Sequence, residues 1–329
     1  MAYFPVITST LSENHLSIFL QKQYGLSSKT ICRLIKTGIN HIYLVTDNAA
    51  KFVFRVYSLN WRSNKEIQEE IRLLNLLKDN DLPVSYAIAD TQQNYIQELN
   101  APEGMKQGVM FSYAKGAKTL NFSAELHYRI GEIMARFHQI THNFTLERIT
   151  YTPETVLVST LVNFWHFLPE DSPEVTFISY AQQYLLKELS QVNSAELRKG
   201  VVHLDIWFDN LNIYQEKEIT IFDFDFCGNG WQCYDIAYYM MQIHSTETDE
   251  NEYKSKLNSF LEGYESVTPI SNEERRILPM LGVSLYLFYL GVQCQRFNNW
   301  SNVFINDVYL KRFINLRIKR WFDYHKLSQ

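Results

Sequence analysis

Two stretches of the chain carry residue types that could do chemistry together. Residues 201–214 read Val-Val-His-Leu-Asp-Ile-Trp-Phe-Asp-Asn-Leu-Asn-Ile-Tyr, and after a polar turn residues 219–226 read Ile-Thr-Ile-Phe-Asp-Phe-Asp-Phe. Each is a strand-like apolar run bearing carboxylate or amide groups, and a hairpin between them would bring Asp205, Asn210 and Asp223 together. Phosphoryl transfer asks for such a set. One carboxylate must orient or deprotonate an acceptor hydroxyl, and hard oxygen donors must hold Mg²⁺ against phosphate groups. Asp205 suits the first role; Asn210 and Asp223 suit the second.

The rest of the chain must position these groups. Thr10 to Tyr24 reads as a helix capped by Ser12 or Asn14. Ile39 to Thr46 and Phe52 to Tyr57 read as strands joined by the polar turn Asp47 to Lys51. Asn64 to Lys78 switches to helical period, with Ile67, Ile71, Leu74 and Leu77 on one face and Ser63 or Asn64 as cap. Val109 to Tyr113 is a further short strand, followed by the connector Lys115-Gly116. Beyond it the pattern is mainly helical: Ala124–Thr141, Tyr180–Leu189, Asn251–Tyr264, Asn272–Phe297 and Val308–His325. The segment from Val201 to Asp235 interrupts that pattern with short strands and loops, and it holds the most polar, chemistry-capable residues. These signals predict an α+β protein of two lobes, a small sheet-based lobe over residues 1–112 and a mainly helical lobe over residues 113–329.

Composition narrows the function class. The 329 residues are 46% hydrophobic, enough for sizeable cores, and the formal net charge of −5 argues against a nucleic-acid binder. The four cysteines, Cys32, Cys227, Cys233 and Cys294, have no metal-site spacing and suit a reducing compartment. The N-terminal residues lack the basic and apolar regions of a signal peptide. The apolar run from Ile277 to Val292 is interrupted by Pro279, Gly282 and Ser284 and reads as a buried helix rather than a span. A cytoplasmic protein with no membrane partner is expected.

At the motif level the chain resembles aminoglycoside phosphotransferase-like kinases, the aminoglycoside, choline and homoserine kinase type. His203-Leu204-Asp205 with Asn210 resembles their H-G-D-x-x-x-x-N loop, the counterpart of the protein-kinase catalytic loop. Phe222-Asp223-Phe224-Asp225 resembles their I-D-F/W-D/E motif, and Tyr234-Asp235-Ile236-Ala237 their Y-D-L-A. In the N-terminal half, Gly38-Ile39-Asn40-His41-Ile42-Tyr43 is similar to their nucleotide-covering hairpin and Phe52 to Tyr57 to their third strand. Ile130-Gly131 through His138 is similar to their G-x-x-x-A-x-x-H helix. The resemblance covers roughly residues 25–245 and implies a bilobal, protein-kinase-like fold with ATP in the cleft between lobes.

It also implies roles. Asp205 would be the catalytic base, Asn210 and Asp223 the Mg²⁺ ligands, and His203 and Asp235 structural supports. Gly38, Asn40, Arg55, Glu70, Phe111 and Tyr113 would hold the nucleotide, with Glu70 pairing with Arg55 and residues 111–114 reading the adenine edge. Trp207, Asp209, Asp225 and Trp231 are candidate substrate contacts. Asp209 also reads as a solvated or capping acid, and Asp225 as a second metal contact or a partner of a backbone amide. Trp207, Phe208, Trp231, Tyr238 and Tyr239 would line an acceptor pocket or simply pack. His138 reads as a core residue.

Three positions depart from the family pattern. Arg55 stands where lysine is usual, and arginine keeps its charge while donating several hydrogen bonds. Gly38 has no companion glycines, and Leu204 replaces the glycine between His203 and Asp205. Arg55 and the lone Gly38 motivate a rival reading, a pseudokinase-type binding protein. A metal-dependent hydrolase using the same acids would need extra histidine ligands, beyond His203, that the segment lacks. The resemblance implies transfer of the ATP γ-phosphate to a hydroxyl of a homoserine-like amino acid, choline or another amino alcohol, or an aminoglycoside. The acidic charge and the aromatics would suit a cationic acceptor such as choline or an aminoglycoside, but fold and motif do not choose among them.

Overall fold

The computed structural model describes residues 4–295 and 304–327. The expected helix end at Phe297 lies outside them, as do the first three residues of the N-terminal reading. The described residues fall into two compact units, residues 4–115 and residues 116–295 with 304–327. The architecture is α+β, with an antiparallel sheet in the first unit and a mainly helical second unit.

The first unit opens with helix α1 (Glu13–Tyr24). The Ser12 side chain accepts the His15 N–H at its start, and Gly25, at φ 63°, ends it in the left-handed region. Six strands follow: β1 (Ile31–Lys36), β2 (His41–Asp47), β3 (Ala50–Val56), β4 (Ala87–Ile88), β5 (Ile96–Ala101) and β6 (Gly104–Ser112). Their order is β1-β2-β3-β6-β4, with β5 also on β6, and every pair is antiparallel. Leu16 and Leu20 of α1 pack with Tyr43, Val45, Phe54, Val56 and Met110 to form the core. Strands β1 and β5 extend the sheet beyond the expected runs. Ile31, Arg33 and Ile35 of β1 face outward and only Cys32 is buried, so its apolar alternation is weak. The β5 sequence Ile-Gln-Glu-Leu-Asn-Ala is half polar.

Helix α2 (Asn64–Asp79) lies between β3 and β4 in sequence. Ser63 and Glu66 form a reciprocal capping box that satisfies two otherwise orphaned backbone donors. Its buried stripe is Ile67, Glu70, Ile71, Leu73, Leu74 and Leu77, so a carboxylate occupies a core position on an otherwise apolar face.

The second unit contains helices α3 (Ala124–Ile140) and α4 (Pro173–Ser190), with strand β7 (Thr150–Tyr151) between them in sequence. Strands β8 (Lys199–Val202), β9 (Leu211–Tyr214), β10 (Glu218–Ile221) and β11 (Gly228–Trp231) follow. Next come α5 (Cys233–Thr246), α6 (Glu250–Glu265), α7 (Asn272–Cys294), α8 (Asp307–Phe313) and α9 (Arg320–Tyr324). Helices α3 and α6 approach until backbones touch. A Cβ added at Gly131 would lie 2.1 Å from the Phe260 carbonyl oxygen, and one at Gly263 would lie 1.9 Å from that of Tyr128. Only glycine permits this approach. Helix α7 is long and apolar enough to cross a membrane by length and composition, but 83% of its apolar window is buried in the protein. It is the core helix of this unit: Trp321, fully buried, donates its indole N–H to the Pro279 carbonyl at 2.9 Å. All four cysteines are buried free thiols.

Candidate active site

The candidate catalytic segment of the second unit is built on two small sheets. Strands β9 and β10 pair as an antiparallel hairpin, Leu211 opposite Ile221, while β11 lies between β7 and β8. Beyond the end of β10 the Phe222 N–H donates to the Asn210 carbonyl at 3.0 Å, which keeps the backbone next to Asp223 against that of Asn210. The incoming chain is pinned to the same hairpin. Ala117 exchanges both backbone hydrogen bonds with Ile213, and Gly116, at φ 92°, passes so close that a Cβ would lie 2.1 Å from the Ile213 carbonyl oxygen.

Asp205 is half-buried at the loop after β8. Its Oδ2 accepts from Asn210 Nδ2 at 2.6 Å, and the same Nδ2 reaches the Asp205 carbonyl at 3.0 Å. The Tyr238 hydroxyl of α5 donates to Asp205 Oδ1. Because the Asn210 nitrogen is turned to Asp205, its amide oxygen is the end left for an electropositive ligand. Asp223, which begins the single helical turn Phe224–Phe226, sits in the left-handed region at φ 66° and ψ 58°; aspartate tolerates that conformation better than most residues.

His203 acts as a brace. Its Nδ1 accepts the Asp205 N–H at 3.1 Å and its Nε2 lies 3.3 Å from the Phe222 carbonyl, which assigns the proton to Nε2. Burial holds its pKa below the ordinary imidazole range, and the ring packs 4.3 Å from that of Phe224. Asp235, on the first turn of α5, receives the main-chain N–H of His203 at 2.8 Å and that of Leu204 at 2.6 Å. Leu204 has φ 65°, the conformation a glycine would adopt most cheaply. Its carbonyl accepts from the Tyr289 hydroxyl of α7 at 2.8 Å.

Behind Asp235 a buried chain of polar groups runs to the helical core. His138 Nε2 lies 3.1 Å from Asp235 Oδ2 and His138 Nδ1 lies 2.6 Å from the Tyr264 hydroxyl. His138 is thus a tie to the catalytic loop and more than a core residue. Burial lowers its pKa.

In the first unit, Arg55 of β3 and Glu70 of α2 form a buried ion pair, Arg55 Nη1 donating to Glu70 Oε1 at 2.8 Å. Tyr57 completes it, its hydroxyl 3.2 Å from Glu70 Oε2 and 3.3 Å from Arg55 Nη1. The guanidinium lies 4.8 Å from the centroid of the buried Phe111 ring. That ring therefore backs the cation, and the Phe111 main chain lies inside the sheet, opposite Val53 of β3 and Ala87 of β4, so the expected adenine-reading edge is not offered at Phe111 itself. Tyr113 is half-buried beneath the Lys51 ammonium, 5.4 Å away. Gly38 and Asn40 lie in the bend between β1 and β2, where buried Asn40 accepts the Ser58 N–H at 3.3 Å and so ties the hairpin to the chain after β3.

The four candidate substrate residues separate. Asp209 pairs with Lys118 at 2.6 Å on the surface of the hairpin. Trp207 packs edge-to-face on Phe208, 4.5 Å between centroids. Asp225 is 4% exposed, and its carbonyl is held by the Arg148 guanidinium. Trp231 pairs with Lys199 at the end of β8 away from Asp205 and stacks on Tyr234 at 6.0 Å, so it is not brought to the catalytic loop. The sequence reading did not assign Tyr238 and Tyr289 to the loop. The helical spacing of Asp235 and Tyr238, three residues apart on one face, was the available signal.

Among the described residues, no three His, Cys, Asp or Glu side chains form a metal-holding group. Asn210 and Asp223 are nevertheless a donor set suited to Mg²⁺, which takes one or two protein oxygens and completes its shell with phosphate and water.

This loop, hairpin and buried Arg–Glu pair define a kinase-like phosphotransferase. The profile of the phosphotransferase enzyme family (APH) matches residues 31–270, and the chain belongs to that family. Its class of activity is ATP-dependent transfer of phosphate to an alcohol group. The chain is similar to a Synechocystis sp. protein, sll1119, with 27% identity over 94% of this chain and 85% of the relative. It is also similar to a homoserine kinase of Methylobacillus glycogenes, with 24% identity over 82% and 81%. Two solved structures share the fold. A microcompartment-associated aminopropanol kinase has TM-score 0.77 and 20% identity over 95% of this chain and 99% of that one. The amicoumacin kinase hAmiN, in complex with AMP-PNP, Ca²⁺ and Ami, has TM-score 0.76 and 19% identity over 94% of each.

Proposed function

We propose that the protein is a kinase that moves the γ-phosphoryl group of ATP to the hydroxyl of a small amine-bearing alcohol, with Asp205 as its base. The observation that carries this reading is the orientation of Asn210. Its nitrogen holds the Asp205 carboxylate, which leaves its oxygen, together with Asp223, as hard donors beside a poised carboxylate. When bound there, Mg²⁺ would neutralise charge on the phosphates. Asp205 accepts the proton of the acceptor hydroxyl as that oxygen attacks phosphorus. Arg55 is the cation that would attract phosphate oxygens, and Glu70 fixes its plane.

The acceptor class is supported by the acidic net charge and by the names of similar proteins, among them an aminopropanol kinase and a homoserine kinase. A pseudokinase would have no need of the base, the amide and the metal carboxylate together.

The test is a Mg·ATP phosphotransfer assay over amino alcohols, hydroxy amino acids, sugars and aminoglycosides with wild-type protein and Asp205→Asn. The wild type is expected to turn over an amine-bearing alcohol. Asp205→Asn should lose at least about 100-fold in rate, the lower end of what a general base contributes, while nucleotide affinity is kept. An Asp205→Asn variant that works at the wild-type rate would defeat the reading.

A further inference from the structure

The catalytic carboxylate is gripped from two sides. Asn210 takes Oδ2 from the turn that follows Asp205 in sequence. Oδ1 is taken by a residue 33 positions away, Tyr238, whose hydroxyl donates to it from helix α5. We propose that Tyr238 is a positioning residue for phosphoryl transfer, setting the rotamer of Asp205 and limiting the directions from which an acceptor hydroxyl can approach it. The proposal rests on Asp205 being the base.

Three observations support it. First, Tyr238 is anchored where a loop residue is not. It is 3% exposed, it follows Asp235 by one helical turn, and its ring lies 5.6 Å from that of Tyr289. One face of α5 therefore holds His203 and Leu204 through Asp235 and Asp205 through Tyr238, three consecutive residues of the catalytic loop. Tyr289 adds the Leu204 carbonyl from α7.

Secondly, the hydroxyl remains a donor. Burial, and then the charge of Asp205, raise its pKa well above the ordinary phenol value. Among the described residues, the side chains facing it include Asp205, Gln242, Tyr286 and Tyr289, none of them cationic.

Thirdly, the geometry is stereochemically economical. A carboxylate oxygen has two lone-pair directions. With Tyr238 on one of those of Oδ1, an acceptor hydroxyl has fewer directions from which to meet the carboxylate, and a fixed approach line is what separates a productive complex from a merely bound one.

The neighbouring tyrosine provides the control. Tyr239 is equally buried on the same helix, but its hydroxyl lies 2.9 Å from His127 Nδ1 and its ring packs on Phe260, away from Asp205. Tyr238→Phe and Tyr239→Phe each remove one buried hydroxyl and nothing else.

The experiment compares wild type, Tyr238→Phe, Tyr239→Phe, Asp205→Asn and the Asp205→Asn/Tyr238→Phe double variant. Steady-state kinetics would use Mg·ATP with aminopropanol, L-homoserine and choline as acceptors, and thermal unfolding would be recorded alongside. Tyr238→Phe is expected to lower kcat about 10-fold, as slight misplacement of a reacting group does, with KM for ATP within about twofold. Tyr239→Phe should keep kcat within about twofold despite a similar shift in Tm. In the Asp205→Asn background, Tyr238→Phe should change nothing further, because it acts through Asp205. A wild-type kcat in Tyr238→Phe beside an inactive Asp205→Asn would overturn this proposal and leave the base assignment standing. An equal loss in Tyr239→Phe would reduce Tyr238 to packing and also overturn it. An active Asp205→Asn, or a wild type inert on all three acceptors, would remove the reading beneath it and this proposal too.

Discussion

The Asp235 carboxylate accepts the main-chain N–H of Leu204 at 2.6 Å, and this bond holds a buried, non-glycine residue at φ 65° immediately before the candidate base. Asp235 also receives the His203 N–H and contacts His138, so three polar groups depend on it in a dry environment.

Asp235→Ala would leave these groups unsatisfied. At about 1–3 kcal/mol for each buried orphan, with some relaxation, the loss of unfolding free energy should be about 3–5 kcal/mol. Phosphoryl transfer should fall with it because the loop loses its anchor. Urea unfolding of Asp235→Ala checks this; a change under about 1 kcal/mol would mean that the loop is held elsewhere.

Leu204→Gly sets two effects against each other. The substitution relieves about 1–2 kcal/mol of left-handed strain. It also removes a side chain that is 0% exposed, and truncating a buried leucine costs about 2–5 kcal/mol. Burial wins. The family-like glycine should therefore destabilise this chain by up to about 4 kcal/mol, again by urea unfolding, and a more stable variant would contradict the packing account.

The Arg55–Glu70 pair predicts an asymmetry. Arg55→Ala strands a carboxylate that is 1% exposed, and breaking a buried pair from one side costs about 3–5 kcal/mol. Arg55→Lys keeps the charge but loses the planar fork shared with Tyr57 and the stacking over Phe111, and should cost about 1–2 kcal/mol. Denaturant midpoints of the two variants should fall in that order; equal midpoints would refute it.

Buried histidines outside the catalytic loop make stability depend on pH, among them His127, His244 and His325. Burial, with the nearby Lys256, lowers the His127 pKa to about 3, and burial lowers those of His244 and His325 to about 4. A native pKa below the unfolded value of about 6.5 means that the unfolded chain binds more protons in between. Their stabilising contribution is therefore complete above about pH 6.5 and is lost as pH falls toward 4 and then 3. Unfolding free energy measured at pH 7, 6, 5 and 4 should decline progressively. In His127→Gln the decline below pH 6 should be shallower by about one proton, or up to about 1.4 kcal/mol per pH unit. An unchanged slope would show that His127 is not held neutral.

Much of this was legible in the chain because it is local. The spacing from His203 to Asp205 and Asn210 sets the loop, and the polar turn before Ile219 lets the hairpin form and return Asp223 to Asn210. The period of Ile67, Ile71, Leu74 and Leu77 gave helix α2 its buried face, and Ser63 its start. Strands β1 and β5 escaped because their pairing comes from neighbours in the sheet, which their own half-polar sequences do not advertise.

By itself, then, the sequence determined which groups could do chemistry and which local elements would carry them, because caps, periods and turn residues act over a few positions. The tertiary structure decided the partners. Tyr238 faces Asp205 while Tyr239 faces His127, and His138 bridges Asp235 and Tyr264 across 97 and 126 positions of chain. Adjacent residues on a helix point about 100° apart, so which of two tyrosines meets the carboxylate depends on how α5 is rotated against the loop. That rotation is set by the packing of the helical unit around it, a sum of many long-range contacts that no short stretch of sequence contains.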